Sequence, residues 1–326
     1  MISLSILIPV RNCNALPLAI ALQQQAEHAH LSAYELLVVD DASNQDTFKD
    51  NNRTIATLPH ARLIELDINR GRAAVRNLLW KEARYDWLLF IDGDMQINRD
   101  DFLETYIQTI KSPQQLITKG PLDACDAISK TKDRLKEEST PIVICGDYEL
   151  QPPTKPQQSL RYLYERRVKL HRSLYWRQHH PYRAFRVCNL MIRRDVMKAH
   201  PFNEKVQHYG YEDLLLGRNL QESNIAVTQI DNQVLFNHFD DNDLFLRKSE
   251  IAMESLWALR DKLGNLSLLV RLTNLLQQLH IVQPLRIILK PFLPSIKKNL
   301  TGLWPSLTLF QIYKLGYYLE YLKSSN

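Results

Sequence analysis

The sequence predicts an α/β protein: a mostly parallel sheet flanked by helices, followed by an α-helical C-terminal extension. Three observations carry this. Short apolar runs recur through the first hundred residues without polar alternation, as in strands buried on both faces. Helix-periodic segments separate them. Polar residues collect where each run ends, and in such sheets the ligand sits beyond the carboxyl ends of the strands.

The elements follow in order. "SLSILIPV" (3–10) is the first strand, closing at Pro9 and Val10 with Arg11 and Asn12 in the turn behind it. Leu16 to His28 is a periodic helix. "YELLVVDDAS" (34–43) is the second strand, ending in Asp40 and Asp41, and "ARLIELD" (61–67) is the third. "GRAAVRNLLWKEA" (71–83) is a helix, "DWLLFIDGD" (86–94) the fourth strand and "RDDFLETYIQTIK" (99–111) another helix. A further strand is expected over 140–150, then a Pro/Gln-rich connection over 151–158. Residues 187–197 read as a strand entering a helix, 209–223 as a helix with an apolar face, and 226–238 as a segment ending in His238.

Charge divides the chain. Its net charge is +5, but residues 264–326 hold seven Lys/Arg against one acid, leaving the first 263 residues near −1. The tail mixes leucine-rich segments, lysines, Trp304 and a tyrosine cluster. That composition fits short helices, broken at Pro284, Pro291, Pro294 and Pro305, lying on an anionic membrane surface, or a helical layer packed on the rest. No uncharged run reaches the ~20 residues of a membrane span. The opening "MISLSILIPV" reads as a strand and not a signal peptide. Four scattered cysteines without a CxxC fit a reduced, cytoplasmic chain.

The stretch "FIDGDM" places Asp92 and Asp94 one residue apart at a strand end, with Gly93 between. A solvated tight turn would explain it, with glycine supplying a positive φ. So would a site for a hard divalent cation, Mn²⁺ or Mg²⁺, which takes one or two carboxylates and completes its shell with substrate phosphates. The neighbouring Asp40 and Asp41 can accept from a base or ribose. Arg72 and Arg76, one turn apart at a helix start, can meet phosphate. No GxGxxG and no phosphate-binding P-loop is present.

Six stretches in this order resemble glycosyltransferase family 2: "SILIPVRN", "VVDDAS", "NRGRAAVRN", "FIDGDM" (its D-x-D signature), "YGYEDLLLGRNL" and "VLFNH". The resemblance covers roughly residues 1–240. It implies the GT-A fold and an inverting hexosyl- or N-acetylhexosaminyltransferase using a nucleotide-sugar donor, UDP by family habit. A glycan or lipid-linked saccharide would be the acceptor. It further implies a catalytic domain over 1–240, with a nucleotide-binding half (1–111) and an acceptor half (112–240), ahead of the extension (241–326). Carried over by position, Asp41 would bind the base. Pro9, Val10, Arg11 and Asn12 would pass backbone groups beside it. Arg72 and Arg76 would approach the base or phosphates. Asp92 and Gly93 would face the ribose or metal, Asp94 would ligate the metal, and His238 would be a third ligand. Asn189 would touch a sugar. Asp213 would be the general base, with Glu212 orienting a substrate. A nucleotidyltransferase would want a phosphate loop after the first strand, which "PVRNCNAL" does not supply, and a binding-only module would be expected to lack Asp94 or Asp213. The 161–186 stretch, with eight Arg/Lys and six aromatics, reads as a flap over the donor diphosphate or a dock for a phosphorylated acceptor in preference to a nucleic-acid site.

Overall fold

The computed structural model describes residues 2–112, 142–204 and 210–322. Cys125, the opening of the expected acceptor half, Tyr209 and Lys323 lie outside the described residues. Strands β1 (Ile2–Val10), β2 (Leu31–Asp40), β3 (Ala61–Glu65) and β4 (Trp87–Ile91) run parallel in the order β3-β2-β1-β4. The sheet continues from β4 through β8 (Asn189–Arg193), β6 (Val143–Cys145) and β9 (Thr228–Gln229), seven strands in all. Because β8 is antiparallel to both β4 and β6, the sheet is mixed but mostly parallel. A small sheet, β5 (Met95–Gln96), β10 (Val234–Phe236) and β7 (Tyr148–Leu150) in the order β5-β10-β7, flanks the cleft side. Thus 226–238 supplies one short strand to each sheet.

The continuous apolar runs work because both faces are covered. Leu4, Ile6 and Ile8 of β1, with Leu36 and Val38 of β2, face α1 (Leu16–His28) and α4 (Phe102–Lys111). Leu7, Leu37, Val39, Leu88 and Phe90 face α3 (Arg72–Glu82), with α7 (Arg194–Ala199) and α8 (Glu212–Glu222) completing that layer. Leu37 and Leu88 are fully buried, so truncating either to alanine costs about 2–5 kcal/mol. One helix escaped the sequence reading: α2 (Asp46–Arg53) buries only Asn52 and has no apolar stripe. The basic stretch is two helices, α5 (Ser159–Leu170) and α6 (Leu174–His179), the second capped by Ser173 Oγ accepting from Trp176 N–H.

The C-terminal region is helical, as expected: α9 (Asn242–Leu263), α10 (Leu268–Gln278), α11 (Val282–Leu289), α12 (Leu293–Leu300) and α13 (Leu307–Tyr321). Pro284 and Pro294 fall in the first turns of α11 and α12, where a missing N–H costs nothing, Pro291 lies between those helices, and Pro305 precedes α13. The helices pack on the rest of the chain. Leu160 and Tyr164 of α5 share a cluster with Phe245, Ile296 and Phe310, and Leu215 of α8 shares another with Met253, Leu256 and Tyr318. Gly210, at φ +104° just before α8, lies so near α9 that an added Cβ would stand 3.1 Å from Ala252 Cβ. The buried Asn242 accepts from Leu160 N–H (2.8 Å) and donates to Gly302 C=O (2.9 Å).

One face of this layer stays uncovered. Among the described residues, ten of the sixteen exposed large apolar side chains fall between Leu268 and Trp304. Leu268, Leu272, Leu275 and Leu279 share one stripe by their 4-3-4 spacing, opposite the buried Val270 and Thr273. No helix among the described residues is long and apolar enough to cross a membrane.

Candidate functional site at the strand ends

The carboxyl ends of β1, β2 and β4 are stitched together by backbone hydrogen bonds. Asp41 N–H donates to Val10 C=O (2.8 Å), Gly93 N–H to Pro9 C=O (3.2 Å) and Asp92 N–H to Cys188 C=O (3.3 Å). The Pro9 and Val10 carbonyls, expected beside a base, are therefore engaged within the protein. Arg11 is exposed. Asn12, left-handed at φ 51°, clamps the two loops: its N–H donates to Ser43 Oγ (2.8 Å) and its Oδ1 accepts from Asn44 N–H (2.9 Å). Asn12 is thus a scaffold residue.

Gly93 also differs from expectation. Its φ is not positive; it is needed because there is no room. An added Cβ would stand 2.9 Å from Val10 Cγ2 and 3.0 Å from Pro9 O. Asp41 serves the loop beside it. Both its carboxylate oxygens accept backbone N–H groups, from Arg70 (2.6 Å) and Gly71 (3.0 Å), fixing the loop before α3. Its neighbour Asp40 accepts Ser43 N–H at Oδ1 (2.8 Å) and leaves Oδ2 buried without a partner. Sequence order could not separate the two acids; only the direction of each side chain does.

Arg76 was expected against the base or phosphates. Its side chain is only 1 % exposed, and it is the hub of an acidic cluster. It lies 2.8 Å from Asp92, 3.2 Å from Asp213 and 3.5 Å from Glu212. Its burial follows from the pattern of α3, where Ala73, Val75, Arg76 and Leu79 form the inward face. Burial alone would weaken its basicity, but Asp92, Asp213 and Glu212 outweigh that and raise it. Arg72, one turn earlier and half-exposed, stands 3.7 Å from Glu212. Glu212 and Asp213 open α8 behind two consecutive positive-φ residues, Gly210 and Tyr211, so a tight turn aims both acids at Arg76. Asp213 Oδ2 also accepts Val187 N–H (3.1 Å).

The carboxylates differ in electrostatics. For Asp92, burial favours the protonated form, but Arg76 and then Arg72 overcome it and hold the group below the ordinary carboxylate range. Asp94 is pushed up, by burial and then by Asp92's charge, with Arg161, Arg72 and His238 easing it. Asp213 is likewise raised, by burial first and by Glu212 and Asp92, against Arg76. Cys13, near Asp94, is raised to about 12 by burial and by that acid's charge, so it stays a thiol.

The donor set for a cation is incomplete by itself. No three His, Cys, Asp or Glu side chains among the described residues converge as a metal centre. Asp92 is drawn to Arg76, and His238 is exposed. Asp94, by contrast, makes no hydrogen bond or ion pair with any described residue, and its oxygen chemistry fits a hard cation whose other ligands come from substrate. Asn189 lies inside the protein. Fully buried, it donates to Asp147 C=O (2.8 Å) and Asn232 C=O (2.7 Å) and accepts from Tyr106 O–H (2.7 Å). Two residues that the motifs did not single out border the cleft: Arg161, 3.3 Å from Asp240 and 4.5 Å from the Phe236 ring centroid, and buried Asp147, paired with Lys169 (2.7 Å) and Arg177 (3.3 Å).

The mannosyltransferase PcManGT from Pyrobaculum calidifontis, solved with GDP-Man and Mn²⁺, aligns with 99 % of this chain and 86 % of its own at a TM-score of 0.54 and 12 % identity. The two share the GT-A fold. S. aureus TarS 1–349 with UDP-GlcNAc aligns with 99 % of this chain and 92 % of its own, with a TM-score of 0.48 and 14 % identity. Chondroitin synthase of Escherichia coli is 24 % identical over 249 residues, 72 % of this chain, which spans only 34 % of that enzyme's length. Residues 5–195 match the model described as Glycosyl transferase family 2. That match takes in β1 to β4 and β8, the strands that form the cleft floor, and on it the chain belongs to glycosyl transferase family 2.

Proposed function

We propose that the chain transfers a sugar, with inversion, from a nucleoside-diphosphate donor to a glycan or lipid-linked saccharide. UDP is the first nucleotide to try. The observation that carries the reading is the gathering of Asp92, Glu212 and Asp213 around buried Arg76 at the strand ends, with Asp94 close enough to Asp92 to feel its charge.

Asp94, with Asp92 and His238 beside it, would hold Mn²⁺ or Mg²⁺. A cation held there would supply positive charge for the diphosphate leaving group. The chain's own residues do the rest. Arg76 fixes the directions of Asp92 and Asp213. Asp213 takes the acceptor hydroxyl's proton while that oxygen bonds to the anomeric carbon and the carbon–diphosphate bond breaks on the opposite face. A carboxylate whose basicity is raised by burial suits this role. Glu212, held by Arg72 and Arg76, orients a substrate hydroxyl.

We take residues 1–240 as the catalytic unit and 241–326 as an extension that also meets an anionic membrane surface. The exposed leucine stripe of α10 supports this, with Ile287, Ile288, Phe292 and Trp304. So does charge complementarity: no acid occurs from Lys262 to Leu319, while Arg271, Lys290 and Lys298 are exposed.

Calorimetric titration with UDP, GDP and dTDP, with and without Mn²⁺, tests the central reading. Metal-dependent binding of one nucleotide, lost in Asp94→Asn, is expected. Absence of binding to all three would overturn it.

A further inference from the structure

Helix α5 has two working sides. Leu160 and Tyr164 pack on the C-terminal helices. Tyr162, Arg166, Lys169 and Leu170 share another side, since residues three and four apart stack on a helix. With Leu150 at the end of β7 they line a cavity of about 280 Å³. Leu150, Tyr162 and Leu170 give it an apolar wall, and Arg166 and Lys169 give it charge. Leu170 is 74 % exposed at the close of the helix, and the Tyr162 ring stands edge-on to Phe239 at 5.6 Å between centroids.

The two cations have donors to spare. Arg166 is exposed and forms no ion pair with a described residue. An ammonium has three donors. Lys169 spends two, on Asp147 Oδ2 (2.7 Å) and on the Tyr148 carbonyl. Asp147 is shared with Arg177 (3.3 Å), so two cations face that one carboxylate. Glu165 is turned to Tyr148, whose O–H donates to it (2.7 Å), and Glu149 alternates to the side of β7 opposite Leu150. A guanidinium fork and an unspent ammonium donor therefore border an apolar wall, the chemistry that suits a phosphate with a hydrocarbon attached.

Strand register puts the cavity near the donor site. Leu150 lies beside Phe236, and Phe236 beside Met95, the residue after Asp94. Two strand spacings place Leu150 about 10 Å from Met95. A short saccharide can bridge that gap. We propose that the cavity binds the phosphate of a lipid-linked acceptor saccharide, with the first carbons of the lipid against Leu150, Tyr162 and Leu170. This rests on the transferase reading above and selects the lipid-linked class of acceptor. A soluble phosphorylated sugar shares the phosphate but makes no use of the apolar wall. The opposite side of α5 carries the helices assigned above to a membrane surface, so a lipid held there has its carrier bilayer close by.

The test titrates the whole chain with n-octyl phosphate, inorganic phosphate and octyl glucoside, each below its micelle-forming concentration, and separately with the preferred nucleotide and Mn²⁺. Octyl phosphate should bind at least tenfold more tightly than either control. Arg166→Gln should weaken it by about ten- to a hundredfold, the worth of one charged hydrogen-bonding group, and Arg166→Lys should recover part of the loss. Leu170→Gln should weaken it several-fold. All three variants should keep the thermal melt and the nucleotide affinity of the unaltered chain, and Leu272→Gln with Leu275→Gln should leave octyl phosphate binding intact. Inorganic phosphate binding as tightly would overturn the proposal in favour of a soluble phosphorylated ligand. Octyl glucoside binding as tightly, or loss of binding in the leucine-stripe variant, would overturn it in favour of simple apolar adsorption. Competition between octyl phosphate and the nucleotide would overturn it by giving the cavity to the donor diphosphate. These outcomes leave the transferase reading standing, whereas absence of nucleotide binding in the unaltered chain would remove that reading alone.

Discussion

The strand-end cleft and the C-terminal helices are built from similarly apolar sequence and reach opposite solutions. In the cleft half, the apolar runs are covered on both faces, and the acids are drawn inward around a single buried guanidinium. In the C-terminal helices, acids are missing from Lys262 to Leu319, and apolar side chains are left facing outward. The difference teaches that local charge, more than hydrophobic content, marks what each region is for. Acids buried beside one cation make a site for chemistry. Apolar side chains set among lysines leave a face uncovered.

Each half of this contrast can be broken. The largest effect is expected from Asp213→Asn, which should lower kcat by about 10²- to 10⁴-fold while nucleotide affinity is kept; near-normal turnover would move the base elsewhere. Arg76→Met should follow, costing about 3–5 kcal/mol of stability because three carboxylates lose their shared cation. A chemical melt resembling the unaltered chain's would show that solvent, not Arg76, balances them. Gly93→Ala should cost about 1–3 kcal/mol, since Val10 and Pro9 must shift. On the other side of the comparison, Leu272→Gln with Leu275→Gln should weaken flotation with phosphatidylglycerol vesicles several-fold, at about 0.8 kcal/mol per CH₂ no longer buried. Nucleotide binding should not change. If the pair instead abolished a dimer seen in solution, a second copy, not a membrane, would be the occupant.

The smallest effect concerns Lys314. Burial lowers its ammonium to about 8, although the Tyr164 and Phe310 rings, 4.6 and 4.7 Å away, favour the charged form. Its folded pKa lies below its unfolded one, so between about pH 8 and 10.5 the unfolded chain binds more protons and stability should rise with pH. Lys314→Met should flatten that rise in thermal melts. An unchanged slope would assign it to other groups.

Much of the cleft half was legible in the sequence, because two-sided burial leaves continuous apolar runs and the acids follow them directly. Less visible was what the side chains do once there. Asp40 and Asp41 are indistinguishable in sequence, yet one binds a loop and the other keeps a buried oxygen unpartnered. Asn189 and Arg76 sit within the right motifs but are consumed by the interior, since a motif records proximity and not accessibility. Helix α2 was hidden by its lack of an apolar stripe.

The approach of Gly210 to Ala252 has a practical consequence. The turn that launches Glu212 and Asp213 is braced from behind by α9, and Leu215 is sealed by Met253 and Leu256. Shortening the chain after residue 240 to obtain a minimal catalytic fragment would remove that brace along with the outward-facing helices. A fragment made that way would lose activity through a slack turn at Glu212 and Asp213, and the loss would masquerade as a requirement for lipid. Point changes on the outer stripe, with α9 left intact, separate the two.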